Sequence, residues 1–106
     1  MYIELTDEQW AAIAFYLPPE NYNGRPRRDD RAVINGILYV LKTGCQWPAL
    51  PIEYGVHYST CWRRLKRWQE EGVWQRISDA LLEAKAGDLA EVALDTSYVK
   101  AKKGAA

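Results

Sequence analysis

The chain has 106 residues, a length that suits one compact domain, and 48% of them are apolar, which argues against general disorder. Its formal net charge is zero, which argues against a strong, uniformly basic nucleic-acid binder. The longest apolar run, residues 37–41, is far shorter than the roughly 18 residues that a membrane span needs. The N-terminus has no signal-peptide pattern, so we expect a cytoplasmic protein without a membrane partner.

The N-terminal part of the chain predicts two helices separated by a loop. A capping box at residues 6–9 opens the first helix, which we expect over residues 6–17 because two prolines follow it. The polar stretch 20–28 is typical of a loop or an arm. An apolar stripe then predicts the second helix, over residues 30–43, with Asp29 or Asp30 as its cap.

The middle of the chain carries a local excess of positive charge. Residues 25–67 contain nine basic and three acidic residues, a net charge of +6, and the flanking segments balance it. Part of this charge lies in the stretch 21–28, which resembles the short arms that bind the minor groove of DNA. We therefore expect Arg25, Arg27 and Arg28 to contact the DNA backbone or minor groove.

Residues 51–72 predict a helix-turn-helix. A short helix at 51–54 and a tight turn precede a third long helix, which we expect Ser59 or Thr60 to cap and Gly72 to end. In this arrangement the second helix enters the major groove. Ser59 and Thr60, at its start, are then also candidates for DNA contact.

On a helical wheel the third helix has an apolar and a basic side. Trp62, Leu65 and Trp68 share an arc of about 120°, and we expect them in the core. Charged helix faces are most often only solvated, but this one has little interleaved acid and follows a turn. DNA binding is therefore favoured, through the four cations of the opposite side and its shoulder, which are Arg63, Arg64, Lys66 and Arg67.

The last part of the chain predicts a fourth helix, over residues 73–86, and then a change of structure. Stretches 91–95 and 97–100 have the pattern of two short strands around a turn. We therefore predict a helical domain over residues 1–88 and the beginning of a second domain over 89–106. Asp95, at the end of the first strand, is suited to hold a divalent metal, although by itself a turn-initiating aspartate is the favoured interpretation.

Several stretches, taken together, resemble the N-terminal part of bacterial insertion-sequence transposases of the insertion-sequence-five type. The most specific is Asn35-Gly-Ile-Leu-Tyr-Val-Leu-Lys-Thr-Gly-Cys-Gln-Trp47. The others lie in order along nearly the whole chain, at residues 5–10, 17–19, 24–27, 50–51, 62–68, 72–74 and 94–101.

The resemblance implies a helical DNA-binding domain joined to an RNase-H-like catalytic domain. In that catalytic domain an Asp-Asp-Glu triad holds two Mg²⁺ ions, and Asp95 matches the first Asp by position. The second Asp and the Glu have no counterpart here, and Lys100-Ala101-Lys102 departs from the Arg-Ala-His of many relatives. We therefore expect Mg²⁺ only in a complete transposase, and we expect this chain alone to bind no cofactor and not to cut or join DNA.

The expected fold is thus mainly α, with four to five helices, a helix-turn-helix and a short β-hairpin that begins an RNase-H-like domain. The expected function is binding of the terminal inverted repeats of a mobile element, as double-stranded DNA, in the bacterial nucleoid. Candidate partners are a catalytic chain from a second reading frame and a second copy of this chain. Two alternatives stay open: a stand-alone transcriptional repressor, and a helical protein-interaction module that uses Trp47, Trp74 and exposed tyrosines.

Overall fold

The protein is a bundle of five α-helices in its computed structural model, which describes residues 3–17 and 27–94, without the side chains of 27–29. The helices are α1 (Asp7–Ala14), α2 (Arg27–Thr43), α3 (Tyr58–Glu70), α4 (Val73–Glu83) and α5 (Asp88–Leu94). Two single 3-10 turns, Trp47–Ala49 and Ile52–Tyr54, lie between α2 and α3. The described residues contain no β-strand, and none of their helices is long and apolar enough to cross a membrane.

The core forms around α2 and α4. Helix α2 packs against α3 and α5, and α4 packs against α1, α3 and α5. The apolar stripe that predicted α2 faces inward, and its members Val33, Ile34, Ile37 and Leu38 have no exposed surface. The prediction of a mainly α fold with four to five helices is therefore confirmed.

Side chains, rather than strand pairing, hold the N-terminal segment on this core. The Tyr54 hydroxyl accepts from the amide of Ile3 and donates to its carbonyl, both at 2.8 Å. Two residues further, the amide of Leu5 donates to Asn35 and its carbonyl accepts from Arg31. The predicted capping box of α1 follows directly and is confirmed, with Thr6 and Gln9 bonding each other's backbone amides.

Helices α2 and α3 cross at very close range. A Cβ atom placed on Gly36 would lie 3.0 Å from the Cys61 sulfur and 3.3 Å from a methyl of Leu50, so only glycine fits without a shift of its neighbours. Burial raises the pKa of the Cys61 thiol to about 12, and the thiol is therefore neutral and acts as a packing group.

The same crossing contains a buried ion pair. The guanidinium of Arg64 lies 2.5 Å from the carboxylate of Asp30, and their side chains are only 11% and 8% exposed. Asp29 or Asp30 was predicted as the cap of a helix over residues 30–43, but α2 begins three residues earlier, at Arg27. Asp30 therefore lies inside α2, and its carboxylate binds Arg64 of α3.

The strand predicted over residues 91–95 is wrong in its described part, because Asp88–Leu94 form α5. Ala90 and Ala93, three positions apart, are both buried. The carbonyl of Ala93 accepts hydrogen bonds from Trp74 at 2.9 Å and from Ser78 at 3.2 Å. Small side chains and these two donors from α4 favour a closely packed helix over a strand.

The second predicted strand, 97–100, lies outside the described residues, and the predicted domain boundary at 88/89 stays a prediction.

Other differences concern the ends of elements. Helix α1 ends at Ala14 and α4 at Glu83, three residues before each predicted end. The short helix predicted at 51–54 is a single 3-10 turn, Ile52–Tyr54, which Gly55 ends with a left-handed φ of 75°. This turn is too short to brace α3 as the first helix of a helix-turn-helix.

The same substitution should lower the free energy of unfolding by different amounts at two buried tryptophans. The Trp74 indole donates to Ala93, whereas the buried indole nitrogen of Trp47 has no hydrogen-bond partner among the described residues. We expect Trp74→Phe to lower the free energy of unfolding by about 1 kcal/mol more than Trp47→Phe, since only the first loses a hydrogen bond. Urea unfolding followed by far-ultraviolet circular dichroism measures both, and equal costs would contradict the assigned bond.

The Asp30–Arg64 pair predicts strong coupling in a double-mutant cycle. Arg64→Met leaves a buried carboxylate without its cation, and we expect a loss of about 3 kcal/mol in the free energy of unfolding. The double variant Asp30→Leu/Arg64→Met should be more stable than Arg64→Met alone, because no buried charge remains. The control is Arg67→Met, which breaks an exposed ion pair with Glu71 and should cost less than about 1 kcal/mol. Additive costs at positions 30 and 64 would argue against the pair.

Candidate nucleic-acid interface

The outer face of α3 carries three exposed cations, Arg63, Lys66 and Arg67. They lie within an arc of about 100° on the helix, so all three can meet one flat or grooved partner. Ser59 and Thr60, at the start of α3, are half-buried on the same side. We call these five residues the basic face.

The opposite side of α3 is core, as the wheel predicted. Cys61, Leu65 and Trp68 are 0%, 1% and 3% exposed, so none of them is accessible for stacking on a base. Trp62 is half-buried at the edge, where the Lys66 ammonium lies 5.7 Å from its ring centroid. A cation at this distance from an indole is attracted to the ring. This attraction favours a conformation in which the Lys66 side chain lies along the surface of the helix, towards Trp62.

Arg64 does not belong to the basic face. Its guanidinium is bound to Asp30, lies 5.9 Å from the ring centroid of Trp68 and leaves the side chain 11% exposed. A duplex could recruit Arg64 only by breaking a buried ion pair. The structure thus assigns this arginine, one of the four predicted DNA contacts, to the packing of α3 on α2.

The remaining cations differ in their surroundings. Arg67 is paired with Glu71 at 3.2 Å, but both side chains are about half exposed, and such a pair is weak enough for a phosphate to compete. Arg63 is exposed and forms no ion pair within the described part of the chain. It lies between the half-buried residues of the first turn and the two cations of the third turn, at the centre of the basic face.

The cap of α3 is His57, which the sequence pattern missed. Its Nδ1 accepts a hydrogen bond from the amide of Ser59 at 3.1 Å and lies 2.8 Å from the Ser59 hydroxyl. The imidazole also stacks on the ring of Tyr58, with 4.5 Å between centroids. Serine and threonine are far commoner caps than histidine, which is why the pattern favoured Ser59 or Thr60.

The segment before α3 differs from an ordinary helix-turn-helix. Helices of that motif are joined by three or four residues. Here residues 44–57, which contain only two 3-10 turns, connect α2 to α3. Helix α2 is the long helix that packs on α3, and α3 presents its outer side to solvent.

Several predicted site residues cannot be placed on this surface. Arg25 and Asp95 lie outside the described residues, and Arg27 and Arg28 lie in the first turn of α2 without described side chains. Residues 3–17 and 27–94 contain no group of three His, Cys, Asp or Glu side chains that could hold a metal. The assignment of a metal to Asp95 therefore stays a prediction, and no chemical step is derived from it.

The interaction-module alternative loses two of its expected contacts. Trp47 and Trp74 are 7% and 2% exposed, so neither indole is available for a partner chain. The large exposed apolar side chains of the described residues lie elsewhere, and Phe15 and Ile52 are the most exposed of them, at 85% and 88%.

Comparison with known proteins agrees with the sequence resemblance. Residues 5–78 match the family described as "Putative transposase of IS4/5 family (DUF4096)". The chain is 42% identical over 107 residues to "Insertion element IS402 uncharacterized 16.2 kDa protein" of Burkholderia cepacia, covering 92% of this chain and 73% of that protein.

A second relative is "Uncharacterized protein y4sN" of Sinorhizobium fredii (strain NBRC 101917 / NGR234), which is 32% identical over 103 residues, covering 96% of this chain and 80% of that protein. No solved structure gives a significant match. The family match spans both helices of the α2–α3 crossing, the basic face included, and this chain belongs to the IS4/5 family of transposases.

Proposed function

We propose that this chain binds double-stranded DNA at the terminal inverted repeats of its insertion element, with α3 as the DNA-contacting helix. The observation that carries the proposal is the basic face, where Arg63, Lys66 and Arg67 are exposed together on one side of a helix whose other side is core. Membership in a transposase family supports DNA as the partner, because transposition requires a protein bound to the ends of the element.

The dimensions of α3 suit the major groove. Its 13 residues span about 20 Å, and the groove is about 12 Å wide and admits one α-helix. Arg63, at the centre of the basic face, is the candidate for bidentate hydrogen bonds to guanine O6 and N7. Lys66 and Arg67 are the candidates for phosphate contacts, because such contacts depend on where the positive charge lies more than on the orientation of its hydrogen-bond donors.

One acidic residue limits how α3 can lie. Glu70 is exposed one turn beyond Lys66, on the same side of the helix. A carboxylate there repels phosphates, so the closest approach of the backbone falls on the first three turns of α3. This favours insertion of the N-terminal part of the helix, the usual orientation of a recognition helix in the major groove.

The proposal also includes the other predicted contact residues. Arg25, Arg27 and Arg28 precede or begin α2 and stay candidates for the DNA backbone or minor groove on the strength of their sequence alone. Asp95 would hold Mg²⁺ only in a complete transposase. DNA binding by α3 itself needs no metal, since guanidinium and ammonium groups neutralise phosphates directly.

Substitutions on α3 test the assignment of base and phosphate contacts. We expect Arg63→Ala to reduce the preference for inverted-repeat DNA over a scrambled duplex of equal composition by about tenfold, since a lost bidentate base contact costs about 1–3 kcal/mol. Lys66→Ala should weaken binding to both duplexes alike and reduce the slope of log affinity against log salt by about 0.9. Fluorescence anisotropy over a range of salt concentrations measures both effects.

The matched control is Arg76→Ala, which removes an exposed arginine from α4 instead of α3. Its affinity and salt slope should equal those of the wild type. If Arg76→Ala weakens binding as much as the α3 variants do, the contact is non-specific and α3 is not the interface. Dimerisation without DNA binding at low salt would favour the interaction module, and preference for promoter DNA over element ends would favour the repressor.

A further inference from the structure

The start of α3 depends on the one histidine of the protein. Besides the backbone carbonyl of His57, which accepts from Thr60 and Cys61, its side chain satisfies the amide of Ser59. That amide has no partner within the helix, because the first amides of any helix point away from the preceding turns. The imidazole therefore does for α3 what serine or aspartate does for most helices.

This cap requires the neutral form of the imidazole. A neutral histidine has one nitrogen that accepts and one that donates, and here Nδ1 must be the acceptor because it faces the Ser59 amide at 3.1 Å. Protonation converts Nδ1 into a donor, so the bond from the amide is lost. It also places a positive charge at the helix N-terminus, where the helix dipole disfavours cations.

His57 forms no ion pair within the described residues that would offset that charge, and the groups beside its ring are the Ser59 hydroxyl, 2.8 Å from Nδ1, and the stacked ring of Tyr58. The depression beside its ring is lined by the apolar side chains of Pro48, Leu50, Ile52 and Val56, together with Tyr58. Along the chain, the nearest acidic and basic residues are Glu53, in the preceding 3-10 turn, and Arg63, on α3. Within the described residues neither forms an ion pair with His57.

We infer that His57 is a positioning residue for DNA binding, which holds the first turn of α3 in place while it is neutral and releases that turn when it is protonated. The first turn carries Ser59 and Thr60 and leads directly to Arg63, so its order determines how these residues meet the groove. The inference rests on the proposed function, since it assumes that α3 is the DNA-contacting helix.

Three proteins and two pH values test this role. The variant His57→Asn keeps a good cap at every pH, because an amide side chain does not titrate, and His57→Ala has no cap at all. At pH 8 we expect wild type and His57→Asn to bind inverted-repeat DNA within about twofold of each other and His57→Ala to bind about fivefold more weakly, the effect of a lost N-cap. At pH 5.5 the wild type should fall about fivefold relative to His57→Asn.

The comparison with His57→Asn at each pH removes the general effect of acid on protein charge and DNA binding. A wild type that keeps the same ratio to His57→Asn at both pH values would overturn the inference. A wild type that gains affinity relative to His57→Asn in acid would also overturn it, since the imidazolium would then act as a phosphate contact instead of as a lost cap.

A second measurement needs no DNA. Hydrogen exchange followed by NMR reports the protection of the Ser59 amide, which should be lost at pH 5.5 in the wild type and retained in His57→Asn. If protection does not change with pH, the inference fails whatever the DNA-binding result. If protection changes as expected but no variant binds DNA even at low salt, the proposed function fails, and the role of the cap in binding fails with it.

Discussion

The close crossing of α2 and α3 determines which residues of α3 face solvent. Gly36 allows the Cys61 sulfur to approach the α2 backbone, and two residues of opposite charge, Asp30 and Arg64, meet one turn away on α3. These contacts fix both the distance between the helices and the rotation of α3 about its own axis. With that rotation fixed, the side of α3 that carries Arg63 and Lys66 faces solvent.

Two neighbouring arginines of α3 show that burial, rather than residue type, determines the role of a side chain. Arg63 and Arg64 are neighbours in sequence, yet one is exposed and the other lies in an ion pair with little solvent access. A buried ion pair is weak evidence for stability, because the cost of removing both charges from water offsets most of their attraction. Its consequence here is geometric, because the guanidinium and the carboxylate have to face each other across the crossing.

The sequence pattern predicted those features that depend on neighbours along one helix. The apolar arc of α3, the capping box of α1 and the buried stripe of α2 all follow from spacing alone, and the structure confirms them. The sequence pattern failed where a residue distant in sequence determines the local structure. Nothing local distinguishes Asp30 as a cap from Asp30 as the partner of an arginine 34 positions later.

The predicted strand at the end of the described chain failed for the same reason. Val92 and Leu94 alternate as a strand requires, but Ala90 and Ala93 satisfy a helical spacing equally well, and the donors Trp74 and Ser78 on α4 decide between them. The cap of α3 was missed for a different reason. A histidine accepts a hydrogen bond only while it is neutral, so general cap preferences rank it low, and only the geometry shows that its Nδ1 faces the Ser59 amide.

Overall neutrality does not count against a DNA-binding surface when the charges are segregated. The exposed acidic residues of the described chain lie mainly on other elements, including Asp7 and Glu8 on α1 and Asp79 and Glu83 on α4. Such a molecule has no net attraction to a distant duplex, but close to the duplex its field is strongly directional. Like charge repels the acidic elements from phosphates, and the basic face is drawn towards them. In the complex that we propose, the same charges that cancel in the sum would orient α3 towards the groove, and the remaining affinity would come from a small number of short-range contacts around Arg63.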